Sequence, residues 1–485
     1  MLFNSYEFIF VFLPITFFIY FYLNSKRYTE ASKGFLVFSS LFFYSWWNIV
    51  YLPIILSSML FNYIVGNSLN NNEDHHRFSK KSILTFGIVS NLALLGYFKY
   101  TDFFIENINL LSDGNIPTLD LALPLAISFF TFQQISYLVD SYRQETKEYD
   151  FLNYALFVTF FPQLIAGPIV HHKEMMPQFA KTRTKVKNYR NIAIGLFMFS
   201  IGLFKKVIIA DTFSVWATAG FDTATTLNLF EAWATSLSYT FQLYFDFSGY
   251  TDMAIGLALL FNIKLPINFN SPYKATDIQD FWRRWHITLS RFLKDYVYIP
   301  LGGNRKGEFR TYNNLLATFI IGGIWHGAGW TFVFWGFLHG MALVIHRAWS
   351  KLGFKLWTWL AWIITFNFIN IAWVFFRAKE WDAAVKVIDG MFNFNNIVLS
   401  EKLAIKLSIL LQYGVSFDNI SVIVNVGKAL PWIVISFVIV LYFKNSIEIQ
   451  NKFKANLFYF IGILLLTITA LGKLNEFSEF LYFNF

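Results

Sequence analysis

The amino-acid sequence predicts an all-α polytopic membrane protein, and three observations predict it. Hydrophobic residues make up 56% of the 485 residues and charged residues only 14%, against about 25% charged in ordinary soluble chains. The 60 Phe, 25 Tyr and 16 Trp carry more aromatic surface than a soluble fold can bury. The chain also contains long runs without Asp, Glu, Lys or Arg, and a helix needs about 20 mostly apolar residues to cross about 30 Å of hydrocarbon. These runs are uniformly apolar, whereas barrel strands alternate. The composition excludes a soluble enzyme, a nucleic-acid-binding domain, a disordered chain and a collagenous one. With no Cys, a disulfide framework, a Cys-ligated metal and a thiol nucleophile are excluded as well. No metal site and no resident cofactor are expected.

Taken in order, the runs 8–25, 82–98, 121–139, 151–172, 356–376, 429–443 and 455–472 each predict one helix. Residues 34–72 and 311–346 are nearly twice that length and predict two helices each. Their breaks are expected between Asn48 and Pro53 and at Gly327-Ala328-Gly329. Residues 191–210 and 232–263 are apolar but interrupted, by Lys205-Lys206 and by Asp246 and Asp252. The total is about eleven or twelve spans in a single membrane domain over 1–485. Its motif-bearing core covers about 121–376, and C-terminal helices with an aromatic tail cover 429–485. Residues 377–428 form a charged connection, expected to be a small helical cap. The start, MLFNSYEFIF, lacks a basic region before its apolar run, so it reads as a retained span and not a signal peptide.

Net charge is +9, read as loop charge on the cytoplasmic side. Loops 26–33 and 73–81 are basic and expected inside. Loops 99–120 and 211–231 are acidic and expected outside, with the amino terminus. The strongly basic 173–190 breaks simple alternation if 151–172 crosses fully. Pro162 and Gly167-Pro168 therefore predict a segment that enters and returns, with its broken backbone satisfied by protein. On the same alternation 264–310 is inside, and the 328–330 turn and the tail after 472 are outside.

Polar groups inside a membrane are costly, so they are functional candidates. His326 lies in FIIGGIWHGAGWTFVFWGFLHG, among small and aromatic residues, with His339 on the next helix. Histidine moves protons near neutral pH; each ring has as its competing reading a core histidine satisfied by a neighbour. The pairs His75-His76 and His171-His172 are expected to be solvated. Residues 278–303 combine Trp282, Arg283, Arg284, Trp285, His286, Arg291 and Lys294. Read as one helix, they put Phe281, Trp285, Leu289 and Phe292 on an apolar face, the pattern of a helix lying in the interface. The basic residues would form an aromatic mouth for an anionic donor, although anchoring to lipid headgroups explains most of the charges. YFDFSGYTDMAIG (244–256) places Asp246, Ser248, Tyr250 and Asp252 in a span. There they line a cavity, pair with basic residues, or form a structural hydrogen-bond network.

FFPQLIAGPI, YFDFSGYTDMAIG, FWRRWHITLSRFLKDYVYIPLGGNR and GGIWHGAGWTFVFWGFLHG occur in that order. Together they closely resemble the membrane-bound O-acyltransferase (MBOAT) family, and within it the bacterial alginate and peptidoglycan O-acetyltransferase branch. The resemblance runs from about residue 5 to 485. It implies the MBOAT fold, with re-entrant and interfacial helices around a central tunnel, in the bacterial cytoplasmic (inner) membrane. It implies transfer of acetyl from a cytoplasmic thioester, acetyl-CoA, for O-acetylation of a cell-envelope polysaccharide. Peptidoglycan is favoured, with an alginate-like polymer next. The implied partners are membrane lipid and a periplasmic SGNH-type O-acetyltransferase, with no nucleic acid. By the same resemblance His326 is the principal catalytic residue, His286 supports it, and Tyr482 in the tail EFLYFNF carries the acyl group onward. Arg283, Arg284, Trp285, Arg291, Asp246, Ser248, Tyr250, Trp325 and His339 are expected to bind the donor or line the tunnel. Acyl transfer to a hydroxyl needs a base, worth about 10²–10⁴-fold, and a neutral imidazole can supply it. Transfer of D-alanine from a carrier protein to teichoic acid is the alternative within this enzyme class. A non-enzymatic transporter would need inward charges across several spans or paired repeats, and the sequence has neither.

Overall fold

The computed structural model describes residues 1–70, 79–146, 150–401, 404–413, 415–418, 424–475 and 481. Every apolar run read from the sequence carries a helix. The break inside 34–72 separates Thr29–Ser45 from Leu52–Asn70, and the break inside 311–346 separates Glu308–His326 from Trp330–Lys351. Five helices are long and apolar enough to cross a membrane by length and composition: Phe8–Ser25, Ile49–Asn70, Lys80–Ser112, Tyr189–Thr223 and Thr358–Arg377. Val426–Tyr442 and Leu457–Leu471 are shorter apolar helices. The protein is therefore a multi-pass membrane protein. That measure gives five of the expected eleven or twelve spans among the described residues: Leu229–Leu260, Glu308–His326 and Trp330–Lys351 are long enough but less apolar, and other runs fold shorter than a bilayer needs. Ile127–Tyr142, for example, has 16 residues where about 20 are required.

The molecule is organised around Leu229–Leu260, a helix buried along almost its whole length. Asn228 and Glu231 start it with a reciprocal capping box, which satisfies two orphan amides of the first turn. One hydrophobic cluster packs on its Tyr250–Leu260 half and a second on its Ala232–Phe247 half. Tyr189–Thr223 lies directly against it. A Cβ on Gly202 would strike the Gly249 carbonyl oxygen, and one on Gly195 would strike that of Gly256. Small residues let helices approach this closely where no hydrophobic force drives them together.

The two interruptions read in the sequence answer each other. Lys205–Ala210 is a π-helical bulge, and from it adjacent lysines reach the central helix. Lys205 Nζ lies 2.7 Å from Asp252, and Lys206 Nζ lies 2.7 Å from both Asp246 and Asp211.

The 151–172 segment breaks as expected. Helix Phe151–Thr159 ends at Phe160, one turn covers Phe161–Leu164, and extended chain leads to helix His172–Ala180. All of 154–172 is buried in protein. His171 and His172 are consequently only 6% exposed each, not solvated. Tyr296 donates to Asp140 at 2.7 Å and lies 3.0 Å from His171 Nδ1. His75 and His76 lie outside the described residues.

The cap is only partly helical: helix Trp381–Phe392 is followed by two short parallel strands, Val398–Ser400 and Ser416–Asp418. Loop contacts fall into two groups. Lys33 bonds Asn153, Arg291 bonds Glu174 and Gln178 bonds Lys264 in one. Trp330 bonds Asn107, Thr331 bonds Ala378 and Arg377 bonds Asp222 in the other.

Candidate active site

His326 is the last residue of Glu308–His326, so its carbonyl and those just before it lack helical partners. Lys99 supplies them from the Lys80–Ser112 helix: its Nζ donates to the Trp325 oxygen at 2.6 Å and to the His326 oxygen at 3.0 Å. Tyr100 Oη donates to the Ile324 oxygen. The His326 ring, in a residue 5% exposed, sits 5.2 Å from the Trp335 ring and 5.0 Å from Phe376. Trp325 stacks on Phe132 at 4.9 Å, which fixes the residue before it.

The expected single helix over 278–303 is two. Ile278–Arg284 and Ile287–Leu293 are separated by Trp285 in extended conformation and His286 at φ 43°, ψ 53°. A left-handed backbone at a non-glycine residue is strained and has to be held by its surroundings. Asn268 holds it. Its main-chain oxygen accepts from Ile287 N at 3.0 Å. Its Oδ1 accepts from Thr288 N at 3.1 Å and from Thr288 Oγ1 at 2.9 Å. These donors identify that atom as the amide oxygen. His286 Nδ1, 3.2 Å away, is therefore the proton-bearing nitrogen, and Nε2 keeps its lone pair. Nε2 is buried and has no hydrogen-bond partner among the described residues. Thr288 Oγ1 also accepts from Ile169 N at 3.1 Å, which ties the broken segment to this site. The predicted apolar face survives the break, since Phe281, Trp285, Leu289 and Phe292 are all buried. It packs into the core and not onto a lipid surface.

A cavity of about 600 Å³ is lined by Arg283, Lys294, Tyr298, His346 and Arg347, with Trp282 in its wall. Trp282 Nε1 donates to His339 Nδ1 at 3.2 Å. The His339 ring lies 4.7 Å from Trp335, which in turn packs on His326. A chain of four rings thus runs from the cavity wall to His326. Arg347 is neutralised by Glu308 at 3.0 Å. Hydrogen bonds from Arg347 and Lys351 hold the exposed Glu308 carboxyl down at about 2, so this pair persists at neutral pH.

The basic residues expected at the donor mouth divide accordingly. Arg283 is exposed to the cavity, and among the described residues neither it nor Lys294 has a carboxylate partner. Arg284 is paired with Asp280 at 2.8 Å, and Arg291 is bidentate to Glu174 at 2.6 and 3.0 Å. Trp285 is buried 5.0 Å from Trp373. Of the third motif, Phe247 reaches His286, with ring centroids 4.7 Å apart. Asp246 instead pairs with Lys206, Tyr250 stacks on Phe3 at 4.8 Å, and Ser248 is buried on the same helix. Tyr482 lies outside the described residues. Sequence reading missed Lys99, which it assigned to a loop, and Asn268 and Thr288. Nothing in PINFNSPY marks Asn268 as a hub.

Residues 79–379 match the model of the membrane-bound O-acyltransferase family. The chain belongs to this family. As a membrane-bound O-acyltransferase it is an enzyme that transfers acyl groups to oxygen. It is 56% identical over 429 residues to the "Peptidoglycan O-acetyltransferase" of Helicobacter pylori, covering 82% of this chain and 81% of that protein. It is 41% identical over 407 residues to the "Probable alginate O-acetylase AlgI" of Pseudomonas aeruginosa, covering 83% and 76%. To the "Teichoic acid D-alanyltransferase" of Bacillus subtilis it is 28% identical over 273 residues, covering 53% and 69%.

Proposed function

We propose that this O-acyltransferase moves acetyl groups from a cytoplasmic thioester, acetyl-CoA, across the bacterial cytoplasmic membrane for O-acetylation of a cell-envelope polysaccharide, namely peptidoglycan. A periplasmic SGNH-type O-acetyltransferase is the partner that completes the transfer. The observation that carries this reading is the buried His326 imidazole, which packs through Trp335, His339 and Trp282 against the wall of a cavity lined by Arg283 and Lys294. A coenzyme's phosphates suit Arg283 and Lys294. The naming of a relative 56% identical over most of both chains favours peptidoglycan as the polymer.

In this reading His326 is the general base. It removes the acceptor hydroxyl proton as oxygen attacks the thioester carbonyl, and it protonates the departing thiolate. His286 supports it through its Nε2 lone pair. Tyr482 is an acceptor that carries the acetyl group onward.

The test is mass measurement of acetyl esters on isolated peptidoglycan from cells carrying the wild type, His326→Ala or Tyr482→Phe. His326→Ala abolishes the esters while the protein still accumulates, and Tyr482→Phe sharply reduces them. Normal esters in the first variant remove His326 from the reaction. Normal esters in the second return the tail to a packing role. Reconstituted protein that takes a D-alanyl carrier thioester and refuses acetyl-CoA moves the assignment to the D-alanyl alternative.

A further inference from the structure

Two hydrogen-bond donors near His326 are buried and have no partner among the described residues. Indole N–H only donates, so the bond from Trp282 Nε1 makes His339 Nδ1 an acceptor. In the neutral ring the His339 proton then sits on Nε2. That atom is buried and has no partner among the described residues, in a residue 0% exposed. Trp335 Nε1–H is in the same condition, in a residue 2% exposed. Trp335 and His339 are four residues apart on helix Trp330–Lys351, so they share a face. Their rings are 4.7 Å apart, and Trp335 lies 5.2 Å from His326. Native proteins rarely leave buried donors unpaired, and each such group calls for an explanation. Nearby His286 Nε2 is an acceptor and cannot satisfy a substrate oxygen.

We infer that Trp335 Nε1–H and His339 Nε2–H bind the carbonyl oxygen of the acyl thioester and hold the oxyanion as it forms. The inference rests on the acyl-transfer reading above and adds two catalytic residues to it. The acceptor oxygen bonds to the carbonyl carbon while its proton passes to His326. The C=O π pair moves onto oxygen, where the two N–H groups meet it. Collapse re-forms C=O and breaks C–S, and the thiolate takes the proton back from His326. Charge that develops only in the transition state is where preorganised donors act, and losing one costs about 10²–10³ in kcat.

The test uses the full-length enzyme reconstituted in liposomes, with acetyl-CoA and a soluble peptidoglycan fragment. Trp335→Phe keeps the ring and removes the N–H. His339→Leu removes both functions of the imidazole, whereas His339→Gln can accept from Trp282 and still donate. Trp335→Phe and His339→Leu lower kcat by about 10²-fold with KM for acetyl-CoA little changed, and His339→Gln recovers part of the loss. A second readout separates chemistry from packing. With the dithioacetyl analogue, whose C=S sulfur accepts hydrogen bonds weakly, wild type slows and Trp335→Phe slows little further. An unchanged kcat in Trp335→Phe, or an equal further loss with the analogue, overturns the inference and leaves the donors to buried water or to packing. If the wild type turns over no acetyl thioester at all, the acyl-donor reading itself fails first.

Discussion

Lys99 Nζ lies 3.0 Å from the main-chain oxygen of His326, and this contact anchors the ring's helix end to a neighbouring span. Two carbonyls depend on it, since the Trp325 oxygen is 2.6 Å from the same nitrogen. Lys99→Met removes both bonds and leaves buried acceptors unpaired. Displacing a catalytic group by about 1 Å costs on the order of 10²-fold. Lys99→Met is therefore expected to lower acetyl-transfer kcat by about that factor, while the protein still accumulates. Initial rates in liposomes check it. A wild-type rate shows that the 327–329 turn holds His326 without help.

Asn268 sets the proton on His286. Its Oδ1 accepts from Thr288 and from His286 Nδ1, and a second group of this kind decides which ring nitrogen is basic. Asn268→Ala frees both the tautomer and the strained backbone at φ 43°. The expected outcome is a kcat lowered by about 10²-fold, the low end of general-base effects, and a lower melting temperature. Nitrogen chemical shifts of labelled His286 read the tautomer directly. An Nδ1–H form that persists in Asn268→Ala removes Asn268 from this role.

The helical plan was legible because hydrocarbon imposes it: a run of apolar residues has no other way to satisfy its backbone. The breaks at 46–51, 160–171 and 327–329 were legible from Pro, Gly and length. The split of 278–303 was not, because periodicity records which face is buried and Phe281, Trp285, Leu289 and Phe292 stay buried on either side of a left-handed His286. Residue type found His326, His286 and His339, but not their geometry. Asn268 and Lys99 act through contacts between segments distant in sequence, and no local pattern encodes those. Asp280 stands four residues before Arg284, a spacing at which helical side chains meet, whereas only folding brings Glu174 to Arg291.

That difference makes the donor mouth testable. Arg283 faces the cavity without a carboxylate partner among the described residues, and a hydrogen bond to a charged group is worth about 1.5–3 kcal/mol. Arg283→Ala is expected to raise KM for acetyl-CoA by about 10-fold or more and to flatten its salt dependence. Arg284→Ala and Arg291→Ala are expected to move it far less, since those charges are already matched. Equal effects from all three mean that the mouth works through its overall field and not through Arg283.

Asp246 stood beside the arginines as a tunnel-lining candidate, and its partner argues for stability instead. Lys206 and Asp246 side chains are 2% and 1% exposed and 2.7 Å apart. Removing one partner of such a pair costs about 3–5 kcal/mol, because a buried charge is left behind. Asp246→Leu falls toward the low end, since Asp211 still faces Lys206 at 2.7 Å. Lys206→Met strands two carboxylates and should cost the full amount. Thermal unfolding in detergent is expected to rank Lys206→Met below Asp246→Leu and wild type highest. The double variant Lys206→Met with Asp246→Leu is expected to melt above Lys206→Met alone, because it removes one stranded charge. If Asp246→Leu melts like wild type and raises KM for acetyl-CoA, the carboxylate serves the donor and its pairing with Lys206 is incidental.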